Sequence, residues 1–212
     1  MSFGVIGSPR ADGNTAAAVD DLLAGMTEHG WTTASAVVQP QQIGPVGDCA
    51  ACVRRGACTI EDGFGTLMEQ VFAADTIVLG TPLYWYGASA QLKALLDRWS
   101  CLLDLDEQAF RARMRGKRTV LLVAQGERGF YEAAPCLQQL EWTARYLEIE
   151  VAGRVVVVGH ARDDYRRDTA QRERVRAAGS AVAAGRAADV QPPWFHLRHT
   201  PGKPLGGIYP PG

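Results

Sequence analysis

The sequence predicts a doubly wound α/β domain, and three observations carry that prediction. Short apolar runs alternate with segments whose apolar residues recur at helical spacing. One run, Thr76–Gly80, is almost unbroken in apolar character, as a strand covered on both faces of a parallel sheet should be. A polar, glycine-bearing stretch, residues 7–15, separates the first apolar run from the first helix-patterned segment. Strand, loop and helix in that order build a pocket at the carboxyl edge of a sheet.

The elements follow in turn. Phe3–Ile6 reads as strand one, and Ala16, Val19, Leu23 and Met26 mark one face of helix one. A weaker strand covers Thr32–Val38, followed by a loop rich in Gly, Pro and Cys that runs through Cys58. Asp62–Ala73 is a second helix and Thr76–Gly80 the third strand. Ala88, Leu92, Leu95, Trp99 and Leu102 mark a third helix, Thr119–Ala124 a fourth strand and Pro135–Leu147 a fourth helix. Arg154–Val158 is a fifth strand, and a charged, Ala-rich helix over 164–187 closes the domain. Alternation with right-handed crossovers gives a flavodoxin-like, doubly wound parallel sheet of five strands in the order 2-1-3-4-5. Ligands in that order sit over strands one and three, where the winding reverses. The expected division is a domain over 1–189 and a Pro/Gly-rich arm over 190–212. Trp194, Phe195 and Tyr209 suit that arm to lying on its own domain or on a neighbouring subunit, with a solvated tail as the alternative.

At 212 residues the chain is long enough for one continuous core. Lys and Arg number 22 against 23 Asp and Glu, a net charge of −1, and no basic stripe stands out, which argues against nucleic acid. No apolar run reaches membrane-span length, and strand one begins at once without room for a signal peptide. The expected location is the cytoplasm. Three of the five cysteines, Cys49, Cys52 and Cys58, fall close together. In a reducing compartment that spacing suggests metal, redox chemistry or plain packing before a structural disulfide.

Residues 7–15, Gly-Ser-Pro-Arg-Ala-Asp-Gly-Asn-Thr, carry the strongest functional signal. The first N–H groups of a helix lack internal partners and sit at its positive end. Ser8, Asn14 and Thr15 add short donors, Arg10 a fork of N–H groups, and Gly7 and Gly13 permit close backbone approach. A phosphate fits, although a plain helix cap uses the same residue types. The stretch is neither a Walker loop nor the Gly-x-Gly-x-x-Gly dinucleotide fingerprint, and Ala36–Pro40 offers no acid to hold a ribose. A mononucleotide phosphate is the guest these residues favour. After strand three, Thr81-Pro82-Leu83-Tyr84-Trp85-Tyr86-Gly87 sets three consecutive aromatics at a strand's end. That suits a flat aromatic ligand, or alternatively an aromatic plug on the next helix.

These residues together resemble a known family, the NAD(P)H-dependent FMN reductases and iron–sulfur flavoproteins of the flavodoxin-like superfamily. Three segments match in order: the 7–15 loop, the Cys49/Cys52/Cys58 loop with Asp62 after it, and Gly80–Tyr84 leading to Gln91-Leu92-Lys93 and Asp97-Arg98. The resemblance implies that Ser8, Arg10, Asn14 and Thr15 hold the FMN phosphate, with Gly13 and Ala16 in the same turn. It places the isoalloxazine against Pro82, Leu83, Tyr84, Trp85, Tyr86 and Gly87. Gln125, Gly126 and Glu127, in the loop after strand four, complete the site. The cysteines depart from the pattern Cys-x-x-Cys-x-x-Cys-x5-Cys, because Val46 stands three before Cys49. Cys101 and Cys136 lie in helices, poorly placed to supply a fourth thiolate, and no His stands at ligand spacing. A Cys49–Cys52 redox pair would lack a thioredoxin context. The reading is a cysteine loop whose thiols pack or sit idle, with no metal ligand nominated.

The implied activity is two-electron: hydride from NAD(P)H to flavin N5, then to a small-molecule acceptor (a quinone, a nitro or azo compound, free flavin or a pathway intermediate) in ping-pong turnover. It requires no side-chain acid or base, so no catalytic residue is nominated. A one-electron, flavodoxin-type carrier and an iron–sulfur flavoprotein are the alternatives. Trp85 and Tyr86 wall the acceptor pocket or form a subunit contact, and the resemblance implies a homodimer or homotetramer.

Overall fold

The structure, a computed structural model, describes residues 1–126 and 132–190. Its elements run β1 (Ser2–Ile6), α1 (Asn14–Thr27), β2 (Thr33–Val37), a 3₁₀ turn (Gln39–Gln41), α2 (Cys49–Arg55), α3 (Phe64–Ala73), β3 (Thr76–Pro82), α4 (Ala90–Asp97), α5 (Trp99–Met114), β4 (Arg118–Gln125), α6 (Ala134–Tyr146), β5 (Glu150–Val158), α7 (Asp164–Arg167), α8 (Thr169–Ala183) and β6 (Ala188–Val190). All neighbouring strands pair in parallel in the order β2-β1-β3-β4-β5-β6.

The winding is as expected from the sequence, but among the described residues the sheet has six strands where five were expected. The additional β6 spans three residues and pairs with the edge of β5, Gly153 opposite Ala188. So short a run carries no periodicity to read. The third sequence-predicted helix is really two, meeting at Arg98. The second of them, α5, is itself interrupted at Asp106 (φ −160°, ψ 88°), whose carboxylate accepts from Ala109 N–H and restarts the helix. The charged closing helix likewise divides, with Asp168 capping α8 through Gln171 N–H.

Strand side chains alternate between two cores, one on each face of the sheet. Val120 and Leu122 of β4 join Val78, Val155 and Val157 under α1 and α8. Leu121 and Val123 join Phe3, Val5, Ile77 and Leu79 beneath α3, α4, α5 and α6. Helices α1 and α8 approach closely, because a Cβ on Gly25 would meet the Arg176 carbonyl oxygen at 2.0 Å and one on Gly179 that of Leu22 at 2.0 Å. Register brings the carboxyl ends of the central strands to one edge: Ile6 lies opposite Gly80, Pro82 opposite Ala124, and Gln125 opposite Val158. The loops that follow β1, β3, β4 and β5 therefore share that edge.

Candidate FMN site at the carboxyl edge of the sheet

Helix α1 begins at that edge without a side-chain cap. Gly13 is its N-cap residue, extended at φ −79° and ψ 179°, and no side chain closes the first turn. The N–H groups of Asn14, Thr15 and Ala16 thus converge where α1 points its positive end. Ser8 and Thr15 are buried beside them, and Ser8 Oγ accepts from Arg10 N–H at 3.0 Å, folding the loop so that exposed Arg10 follows it closely. The donor set and its open turn fit a phosphate ester.

Asn14 has its side chain engaged elsewhere. Its amide NH₂ donates to the carbonyls of Gly159 (3.0 Å) and Ala161 (2.8 Å), and its Oδ1 accepts from Tyr165 N–H at 3.3 Å. What Asn14 presents to the open turn is its backbone N–H. The side chain fastens the loop after β5 to the first turn of α1, and the Arg162–Asp12 ion pair reinforces that seam.

The second loop is tied to the first through a residue that the sequence reading passed over. Ser89 is fully buried; its hydroxyl donates to the Gly7 carbonyl and accepts from Leu92 N–H at 3.2 Å, capping α4. Its N–H donates to Thr81 Oγ at 2.9 Å. Gly7 N–H also reaches the Gly80 carbonyl at 2.7 Å. A serine three residues ahead of a buried leucine at a helix start was the available signal. One hydroxyl therefore fixes the spacing of the two loops, and Gly7 has to be glycine there, since a Cβ would meet that of Leu92 at 2.6 Å.

Beyond Pro82 the chain makes a tight hairpin. Tyr84 and Gly87 exchange both backbone hydrogen bonds at 3.1 Å, and the two central residues, Trp85 (φ 50°) and Tyr86 (φ 63°), are left-handed. Trp85 at the tip is 95 % exposed, with Tyr84 and Tyr86 half-exposed on either side. Leu83 N–H donates to the Ala124 carbonyl at 2.8 Å and seats the hairpin against the end of β4. Gln125 and Gly126 follow that end, with His160 close enough that a Cβ on Gly126 would lie 3.2 Å from its Nδ1. Of the sequence-predicted site residues, those from Ser8 to Ala16, Pro82 to Gly87, and Gln125 and Gly126 gather along this edge. Glu127 lies outside the described residues, as does the arm beyond Val190.

The cysteines overturn one expectation. Cys101 does not stand apart from the cysteine loop: the Sγ atoms of Cys52, Cys58 and Cys101 all lie within 4.8 Å of one another. Arg98, 1 % exposed, organises the surroundings. Its Nη1 donates to Asp62 Oδ2 at 2.8 Å and to the Gly44 carbonyl at 3.3 Å, its Nη2 to Cys58 Sγ at 3.0 Å, and its guanidinium lies 4.5 Å from the centre of the Phe64 ring. Burial alone would raise Asp62, but hydrogen bonds from Gly44 N–H, Arg98 and Phe64 N–H outweigh it and hold the carboxyl below its ordinary value. Thr59, through hydroxyl and N–H, brings the Cys52 thiol down to about 7, whereas burial raises Cys101. Cys136 is separate, in the core, pushed up to about 12 by burial.

A doubly wound parallel sheet with an open helix start and an aromatic hairpin at its switch point defines a flavodoxin-like, nucleotide-binding α/β protein. The chain belongs to the NADPH-dependent FMN reductase family, whose model matches residues 3–163. FMN is the cofactor of that class and a reduced nicotinamide its donor. Among relatives, an iron–sulfur flavoprotein of Methanocaldococcus jannaschii is 38% identical over 96 residues, 45% of this chain and 50% of that protein. YwqN of Bacillus subtilis, named for an NAD(P)H-dependent FMN-containing oxidoreductase, is 28% identical over 170 residues, 79% of this chain and 91% of that protein. The fold is similar to that of an NAD(P)H:quinone oxidoreductase from Methanothermobacter marburgensis, with a TM-score of 0.67, 16% identity and coverage of 85% of this chain and 94% of that one.

Proposed function

We propose that this chain is an FMN-dependent oxidoreductase that takes two electrons from NAD(P)H and hands them to a small organic acceptor such as a quinone, a nitro or azo compound, or free flavin. The observation that carries the reading is the pairing of an uncapped α1 terminus with the Tyr84–Gly87 hairpin at one edge, their separation set by Ser89. When bound, FMN supplies the hydride chemistry. The protein's part is to grip, orient and exclude water. The N–H groups of Asn14, Thr15 and Ala16, the hydroxyls of Ser8 and Thr15, and the Arg10 guanidinium hold the phosphate. The backbone of Pro82 to Gly87 and that of Gln125 and Gly126 border the ring, and Trp85 covers the acceptor face. No side chain serves as acid or base. Among the described residues no helix is long and apolar enough to cross a membrane.

Binding separates the phosphate grip from the rest of the site. Ser8→Ala combined with Thr15→Val removes donors to a charged ester, each charge-assisted bond contributing about 1.5–3 kcal/mol. FMN should therefore bind at least about a hundredfold more weakly, whereas riboflavin, which lacks the phosphate, should be held as before. Equal losses for both flavins, or a wild-type protein that stays colourless with added FMN, would remove the reading. NADH or NADPH oxidation with a quinone gives the activity readout.

A further inference from the structure

The geometry points to a closed, single-ion metal site formed by Cys49, Cys52, Cys58 and Cys101, of the kind that takes one zinc-class cation, in place of an iron–sulfur cluster. Cys49 and Cys52 come from α2, Cys58 from the loop after it, and Cys101 from α5, so no contiguous motif announces the set. Three of the sulfurs lie within 4.8 Å of one another, and Cys49 lines the same small cavity as those three cysteines. Bound to one tetrahedral ion at about 2.3 Å, thiolates stand about 3.8 Å apart, so small adjustments suffice.

A cubane cluster does not fit this arrangement. Its iron–sulfide cage lies between the thiolates and holds them further apart than a single ion does. The cavity that these cysteines line together with Val46, Thr59, Ile60 and Arg98 has about 10 Å³ of room, enough for one water-sized sphere. Val46 also occupies the position where a contiguous four-cysteine motif would supply its first ligand.

The surroundings suit thiolates. Cys52 Sγ accepts from Thr59 N–H at 3.4 Å and contacts Thr59 Oγ at 3.5 Å, and Cys58 Sγ accepts from Arg98. Such donors orient ligand sulfurs and temper their charge. Four protein ligands leave no open position, which makes the site structural. The fold has a use for it: between residues 39 and 63, Cys52 is the single buried residue. That excursion has almost no apolar core of its own, and an ion joining α2 to α5 anchors it beneath the flavin edge. On binding, the cation displaces the thiol protons to solvent, with no change in oxidation state.

Elemental analysis of the full-length protein should find about one zinc per chain, with neither iron nor acid-labile sulfide. Iodoacetamide with mass readout should leave Cys49, Cys52, Cys58 and Cys101 unmodified until a chelator removes the ion, and added ZnCl₂ should restore protection. Cys101→Ser should lower zinc content at least about tenfold, since each ligand contributes to the binding free energy, whereas Cys136→Ala should keep it. The wild-type protection assay decides the matter even if Cys101→Ser fails to fold. Iron with labile sulfide, an intact mass showing a disulfide among these cysteines, or metal-free protein whose four thiols alkylate at once even with ZnCl₂ would each overturn the proposal.

Discussion

Asn14 shows how one residue type can serve two purposes that a sequence does not distinguish. A carboxamide at the first helical position can turn to a phosphate or back to the protein, and its chemistry is the same either way. Here it bonds to Gly159, Ala161 and Tyr165, more than 140 positions along the chain. Asn14→Ala leaves two carbonyls and an N–H without that partner, so unfolding by denaturant should become easier by about 1–3 kcal/mol. Asn14→Asp should do at least as much damage, because a carboxylate facing two carbonyls repels where the amide donated. A phosphate-binding role alone would instead leave the stability of the flavin-free protein unchanged in Asn14→Ala. Cys101 was illegible for a related reason. Its approach to Cys52 depends on how α5 packs against α2, and neither element's local pattern encodes that docking.

At the scale of elements, the Tyr84–Gly87 hairpin stands out because it contradicts local preference. Two-residue turns with left-handed central positions favour Asn-Gly, and side chains bearing a Cβ cost about 1–2 kcal/mol each there. Trp85 and Tyr86 are held in that conformation with the indole 95 % exposed, a strain of the kind that clusters at binding sites. Replacing Trp85-Tyr86 with Asn-Gly should relieve the strain and raise the melting temperature of the flavin-free protein by about 2–6 °C. The same change should lower kcat/KM for an aromatic quinone. A lower melting temperature would mean that the rings contribute packing that outweighs their strain. The strands around this hairpin were legible because β3 and β4 are buried on both faces and read as continuous apolar runs. The break at Arg98 was not, since apolar spacing continues through Trp99 and no glycine or proline interrupts it. Ser89 was readable as a cap, but its bond to Gly7 was not, because that contact spans the sheet edge.

Across the whole molecule, two acids with little-exposed carboxylates, on opposite faces of the sheet, hold distant segments together. Asp21 of α1 accepts from Arg172 and Arg176 of α8 and from the Tyr165 hydroxyl. On the other face Asp62 accepts from Arg98 and fixes the cysteine excursion to the α4–α5 corner. Burial would raise Asp21, but Arg172, Arg176 and Tyr165 outweigh it, so both carboxyls titrate below their ordinary value. In the unfolded chain each would titrate near pH 4. Below that pH the unfolded state therefore binds more protons than the folded one, and acid shifts the balance towards unfolding. The contribution of both acids is fully present above about pH 4 and drains away as the pH falls towards their folded values. Denaturant unfolding at fixed saturating FMN should thus give a stability that falls steeply below about pH 4. Asp21→Asn should flatten that fall. At neutral pH it should cost about 1–3 kcal/mol, because two half-exposed arginines at the α1–α8 seam lose a charged acceptor that solvent replaces in part. A wild-type stability that held level down to pH 3 would show that neither carboxylate couples protonation to the fold.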